Sequence, residues 1–115
     1  MIEAQLTLKG PTPMTLNSPP VTRARGLLIA VLKDGADLDP MARLEVAQAL
    51  GELIPDMAFS TYPAVPVTID DPADALGQTR RDLRAAIAQE NDLDAVQQIS
   101  LAIRCVDAAL AAVSP

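Results

Sequence analysis

The sequence predicts a mainly α fold of about four helices, with a C-terminal antiparallel helical hairpin and a minor N-terminal strand or two-stranded ribbon. Three observations point there. Asp39-Pro40 and Asp71-Pro72 each precede an apolar-periodic run, giving an N-cap and a first-turn proline together. The C-terminal stretch carries apolar residues at near-heptad spacing. The core must also be aliphatic: half the chain is apolar, yet Phe59 and Tyr62 are its only aromatic residues. Aliphatic cores suit closely packed helices, where alanine lets backbones approach.

Taken in order, Ile2 to Lys9 alternates apolar and polar residues, the period of a half-buried strand. Gly10-Pro11-Thr12-Pro13 ends it. Ser18-Pro19-Pro20 leads into a first helix, with Val21, Ala24, Leu27, Leu28, Val31 and Leu32 on one face and Asp34-Gly35 as its stop. Gly26 costs this helix about 1 kcal/mol relative to alanine. The alternative is an α+β fold with residues 27–32 as a strand beside the N-terminal one. The second helix starts at Asp39 and turns Met41, Leu44, Ala47, Leu50 and Ile54 inward before Pro55 stops it.

Residues 56–70 form a connector holding both aromatics, and residues 65–69 read as an edge strand able to pair with the N-terminal one. A third helix follows Asp71, with Leu76, Leu83, Ala86 and Ile87 inward. Asn91-Asp92 breaks it and caps the fourth, whose seam runs Leu93, Val96, Ile99, Ile103, Val106, Leu110, Val113. The first two helices are expected to pair, and the short link at Asn91 makes the last two a hairpin. At 115 residues the chain reads as one domain over 1–115.

Composition narrows the function classes. There is no histidine, no tryptophan and one cysteine, and the net charge is −6. A zinc site is therefore not expected, nor a nucleophile activated by imidazole. No cofactor, metal or catalytic residue is assigned. The five glycines are scattered, with no phosphate-cradling Gly-x-Gly pair. Asp34 to Asp39 has the acid density of a calcium loop but misplaces its glycine and closing glutamate, so capping and turn chemistry is the reading. Asp70, Asp71 and Asp74 gather at a helix start, where the dipole favours charged carboxylates over a general acid. Arg43 to Gly51 resembles the first half of a helix-turn-helix. The next segment, with Pro55 and two acids, cannot make a basic recognition helix. Cys105 lies in an apolar helical run and reads as a small buried hydrophobe.

One basic cluster stands out: Arg80, Arg81 and Arg84 on the third helix, suited to docking an acidic partner or contacting a phosphate. Thr22-Arg23-Ala24-Arg25 is a weaker second cluster. The leading expectation is a non-catalytic protein–protein interaction module: an adaptor, assembly subunit or inhibitor. Its surplus of aliphatic surface points to a protein partner or self-association as a homodimer. The acidic surface speaks against direct nucleic-acid binding and against anionic membranes. A second expectation is an acidic regulator that competes with nucleic acid for a basic groove on a target protein. A third is a small enzyme using arginine and carboxylates, which needs a deep pocket containing Arg80 or Arg84. No uninterrupted apolar run approaches the length that spans a bilayer, and Glu3 and Gln5 interrupt any leader-like region, so a cytoplasmic location is expected. The alanine, proline and aspartate bias suggests a bacterial or phage source.

Overall fold

The computed structural model describes residue 16 and residues 18–35, 38–54 and 64–113, and within them the fold is mainly α. The helices are α1 (Pro19–Asp34), α2 (Pro40–Leu53), α3 (Pro72–Gln89) and α4 (Leu93–Val113). The expected N-terminal strand lies outside the described residues. Residues 27–32 are helical, so the α+β alternative is overturned: the apolar run is the packed side of α1. Residues 64–69 form no strand, and a backbone hydrogen bond ties them to a helix, Val65 N donating to the Thr22 carbonyl at 3.1 Å.

The aspartate starts work as the sequence implies. Asp39 accepts from the amide of Met41 and Asp71 from that of Ala73, each at 3.2 Å with proline at the first helical position. Asp92 accepts from the amides of Asp94 (2.8 Å) and Ala95 (3.4 Å), holding the start of α4. Each cap satisfies amides that the first turn cannot pair internally.

Side-chain contacts fix the helix directions. Arg43, early in α2, donates to the Leu32 carbonyl late in α1 (3.2 Å), while Arg25, early in α1, donates to the Leu53 carbonyl ending α2 (3.3 Å). α1 and α2 are therefore antiparallel. Arg23 meets Asp82, and Leu27 further along α1 lies beside Asp74 and Ala75, so α1 and α3 are antiparallel too. The link at residues 90–92 folds α4 back along α3, and Arg80 reaches Asp107. Each helix thus packs on two others, in the ring α1–α2–α4–α3. α2 and α3 point the same way from diagonal corners. The chain between them must travel the length of the bundle, the connectivity of bundles with one long crossover.

The most extensive pairs are α2 with α4 and α1 with α3; α1 and α2 also pair, as the sequence suggests, over a smaller contact. Alanine explains the first. Ala42 and Ala49 on α2, and Ala95, Ala102 and Ala109 on α4, recur every seven residues and are all buried. Stripes of this kind let two helix backbones approach closely. The inward face of α2 is accordingly Ala42, Val46, Ala49 and Leu53, with Ile54 following, and Met41 and Leu44 are exposed. On α4 the buried line is Ala95, Ile99, Ala102, Val106 and Ala109. Leu93 is exposed, and Ile103, Leu110 and Val113 sit at the margin. On α3, Leu76, Leu83 and Ala86 are buried as expected, and Ile87 packs at the edge. Residues from all four helices meet in one hydrophobic cluster.

Gly26 has a role that propensity alone does not show. A β-carbon there would lie 1.8 Å from the carbonyl oxygen of Val65. The crossover presses its backbone onto α1 at that point and covers a second face of the helix. The helix cost of Gly26 is the condition for that approach.

Candidate functional site

The three arginines predicted to form a docking patch project from the middle of α3, and the fold treats them differently. Arg80 is committed to structure: its Nε lies 2.8 Å from Asp107 Oδ1 on α4, an ion-pair contact whose angle falls short of a hydrogen bond. Arg81 is exposed and donates through Nη2 to the side-chain oxygen of Gln78 at 2.8 Å, a neutral partner. Arg84 is exposed and has no ion-pair or hydrogen-bond partner among the described residues. Arg81 and Arg84, three residues apart, share a face. The patch is therefore a pair, with Arg80 tied back beside it.

The second basic cluster is structural. Arg25 is fully buried, and its Nη1 donates to the carbonyls of Leu16 (2.7 Å) and Leu53 (3.3 Å). Its charge sits at the negative end of the α2 dipole, where a cation is favoured. Arg23 reaches across to α3 and donates to Asp82 Oδ1 at 3.3 Å, and Gln78 Nε2 donates to the same oxygen at 3.3 Å. Asp82 is buried, and its other oxygen, Oδ2, has no hydrogen-bond partner among the described residues. The network Arg23–Asp82–Gln78–Arg81 runs from α1 to the edge of the α3 patch. Its buried centre was not foreseen in the sequence, because nothing in the spacing separates Asp82 from the solvated acids around it.

A shallow groove of about 280 Å³ opens beside Arg81. Leu27 and Ala75 lie under it, and Asp70, Asp71 and Asp74 line it. Arg80 and Arg84 are not among its lining residues. Three carboxylates around one guanidinium make this groove a poor receptor for an anion. The open positive charge lies further along α3, at Arg84. Among the described residues the exposed acids other than Asp107, which pairs with Arg80 midway along α4, follow the caps and helix ends. The helix directions put Asp34, Asp39, Asp70, Asp71 and Asp74 at one end of the bundle and Asp94 at the other. They do not form a ridge along its length.

Cys105 is half-buried rather than enclosed, because α4 turns it to the seam with α2. Burial pushes the thiol pKa up from 9.0, the nearby carboxylates of Glu45 and Glu52 push it further, and Arg104 opposes them. These surroundings hold a thiol, not a thiolate nucleophile. Among the described residues no group of three or more acid or cysteine side chains is arranged to hold a metal ion. α4, 21 residues with an 18-residue window of mean hydropathy 1.4, is long and apolar enough to cross a membrane by length and composition, a property that a search for uninterrupted runs misses. It carries Asp94, Arg104 and Asp107 and packs on two helices, as a bundle helix does.

Comparison of the chain with protein-family models, with curated proteins and with solved structures finds no match in any of the three.

Proposed function

We propose that the chain is a non-catalytic protein-interaction module, an adaptor, assembly subunit or inhibitor, that docks an acidic partner through Arg81 and Arg84. The observation that carries this reading is the contrast among its arginines. Arg25 and Arg43 cap helix ends and Arg23 and Arg80 pair with acids, while Arg81, Arg84 and, on α4, Arg104 face solvent with no acid engaged among the described residues; of these three only Arg81 and Arg84 share one helix face. Guanidinium groups on a rigid helix lose little freedom on meeting carboxylates, and such contacts are geometrically specific. The scarcity of groups that activate a nucleophile supports binding over turnover. The reading includes a cytoplasmic setting in a bacterium or phage, and no direct contact with nucleic acid or membrane.

The test is affinity capture from the native host with the wild-type chain and with Arg81→Glu/Arg84→Glu. A specific protein should be recovered with the wild type and lost with the double variant, while circular dichroism stays unchanged. Equal recovery with both chains would refute the arginine face. Turnover of a small molecule by the purified protein would refute the module itself. The acidic-regulator reading gains less support, because the exposed acids among the described residues, Asp107 apart, gather at the bundle ends and do not trace a nucleic-acid backbone. It predicts inhibition of a nucleic-acid-binding protein that fades as salt rises.

A further inference from the structure

Resting on the reading of Arg81 and Arg84 as a docking face, we propose that the acidic partner is a second copy of this chain. Two α3 helices pair antiparallel about a two-fold axis, the basic middle of each on the acidic start of the other.

Opposite its buried line of Ala75, Thr79, Leu83 and Ala86, α3 presents the stripe Asp74, Gly77, Arg81, Arg84 and Ala88, at steps of three, four, three and four. Charge along this stripe is segregated. Asp74 stands at its start, with Asp70 and Asp71 just before it, and all three line the open groove. Arg81 and Arg84 follow. The helix dipole accounts for Asp74 in the first turn, but its influence is confined to the end turns. Both arginines lie before the last turn, which holds no basic residue. Asp74 and Arg84 each lack an ion-pair or hydrogen-bond partner among the described residues. Ten residues of helix, about 15 Å along the axis, keep them from meeting within one chain.

Reversing one α3 against another sets Asp74 opposite Arg84 of the second copy, and the two-fold repeats the contact. A parallel pairing would set carboxylate on carboxylate. Between the two contacts Arg81 lies over Gly77 of the other copy, one turn from its Asp74. A β-carbon on Gly77 would meet nothing within 4 Å, so this glycine costs the helix stability while no described residue uses the space. An arginine stem from the second copy does. Across this axis the α1 flanks face each other, and so do the α4 flanks. Arg23 and Asp107 on those flanks are already paired, with Asp82 and Arg80. Asp34 faces the start of the other copy's α1, which has no acid in its first turn. Arg104 is opposite the buried line of α4 and points away from α3. The net charge of −6 opposes association, and an interface one helix wide falls below the roughly 800 Å² per partner of a standard complex. The pairing is therefore weak and concentration-dependent.

Charge exchange, followed by sedimentation equilibrium of the purified full chain, tests this. The wild type should show a monomer–dimer equilibrium. Asp74→Arg and Arg84→Asp should each weaken it at least about tenfold, because each sets like charges together at both repeats of the contact. The milder Arg84→Gln should weaken it several-fold, with helicity unchanged by circular dichroism. An equal mixture of the Asp74→Arg and Arg84→Asp chains should dimerise again, since every facing pair is then opposite in charge, and that recovery also shows both chains folded. A wild type monomeric at every concentration, a dimer indifferent to Arg84→Gln and Arg84→Asp, or folded variants whose mixture stays monomeric would each overturn the pairing. A monomeric chain that still captures a different protein, lost on Arg81→Glu/Arg84→Glu, would overturn it too and leave the arginine face standing. Equal capture with both chains would remove the arginine face itself.

Discussion

α1 and α2 are neighbours of similar length and similar aliphatic content, yet they are held in opposite ways. α1 is covered on two faces. Val21, Ala24, Leu28 and Val31 enter the core, and the crossover lies against Thr22 and Gly26 on another side. It even encloses a guanidinium. α2 buries one face, Ala42, Val46, Ala49 and Leu53, against its neighbours α4 and α1, and leaves Met41 and Leu44 outside. Aliphatic content therefore does not say how many faces a helix buries. A second face closes only where the rest of the chain, or another molecule, supplies a cover.

The sharpest way to break this contrast is at Arg25. Arg25→Met keeps much of the volume but strands the carbonyls of Leu16 and Leu53 in the interior, and should cost about 3 kcal/mol. Urea unfolding measures it, and a loss below about 1 kcal/mol would mean that solvent satisfies those carbonyls. Next is Gly26→Ala, which drives a methyl group into the Val65 carbonyl. The crossover must lift, at about 2 kcal/mol, and the amide of Val65 should exchange faster with solvent. The same substitution on α2 has the opposite sign: Gly51→Ala meets open space and should stabilise by about 0.5–1 kcal/mol. If the two glycines respond alike, the covered and open faces have been misassigned.

The smallest effect concerns the seam between α2 and α4. Folding raises the Cys105 pKa above 9.0, so the folded state holds this proton more tightly than the unfolded chain does. The resulting stabilisation is complete below that value and is lost as pH rises through the folded pKa. Alkaline unfolding curves of the wild type and Cys105→Ser should therefore converge at low pH and separate above about pH 9. Glu45→Gln removes a nearby negative charge and should speed alkylation of the thiol.

What the sequence made legible was local. The caps at Asp39, Asp71 and Asp92 and the ends of the helices follow from short-range chemistry. The facing of α2 did not, because the helix carries apolar residues on two sides, Met41 and Leu44 on one and Ala42, Val46, Ala49 and Leu53 on the other. Only the alanines of α4, far along the chain, choose between them. Gly26 reads as a local cost because its reason, the Val65 backbone, lies at a distance. Of the arginine site, the sequence located the cluster, but not that Asp107 would claim Arg80 and leave Arg81 and Arg84 facing solvent.

The exchange between Arg25 and Arg43 has a consequence for how the molecule comes together. α1 and α2 each lend the other a cation at its closing turn, so neither helix finishes properly alone. The two ends become a mutual lock. A fragment cut between them, or a transplant of either helix into another scaffold, should fray at its C-terminus, and the pair should form and melt as one unit.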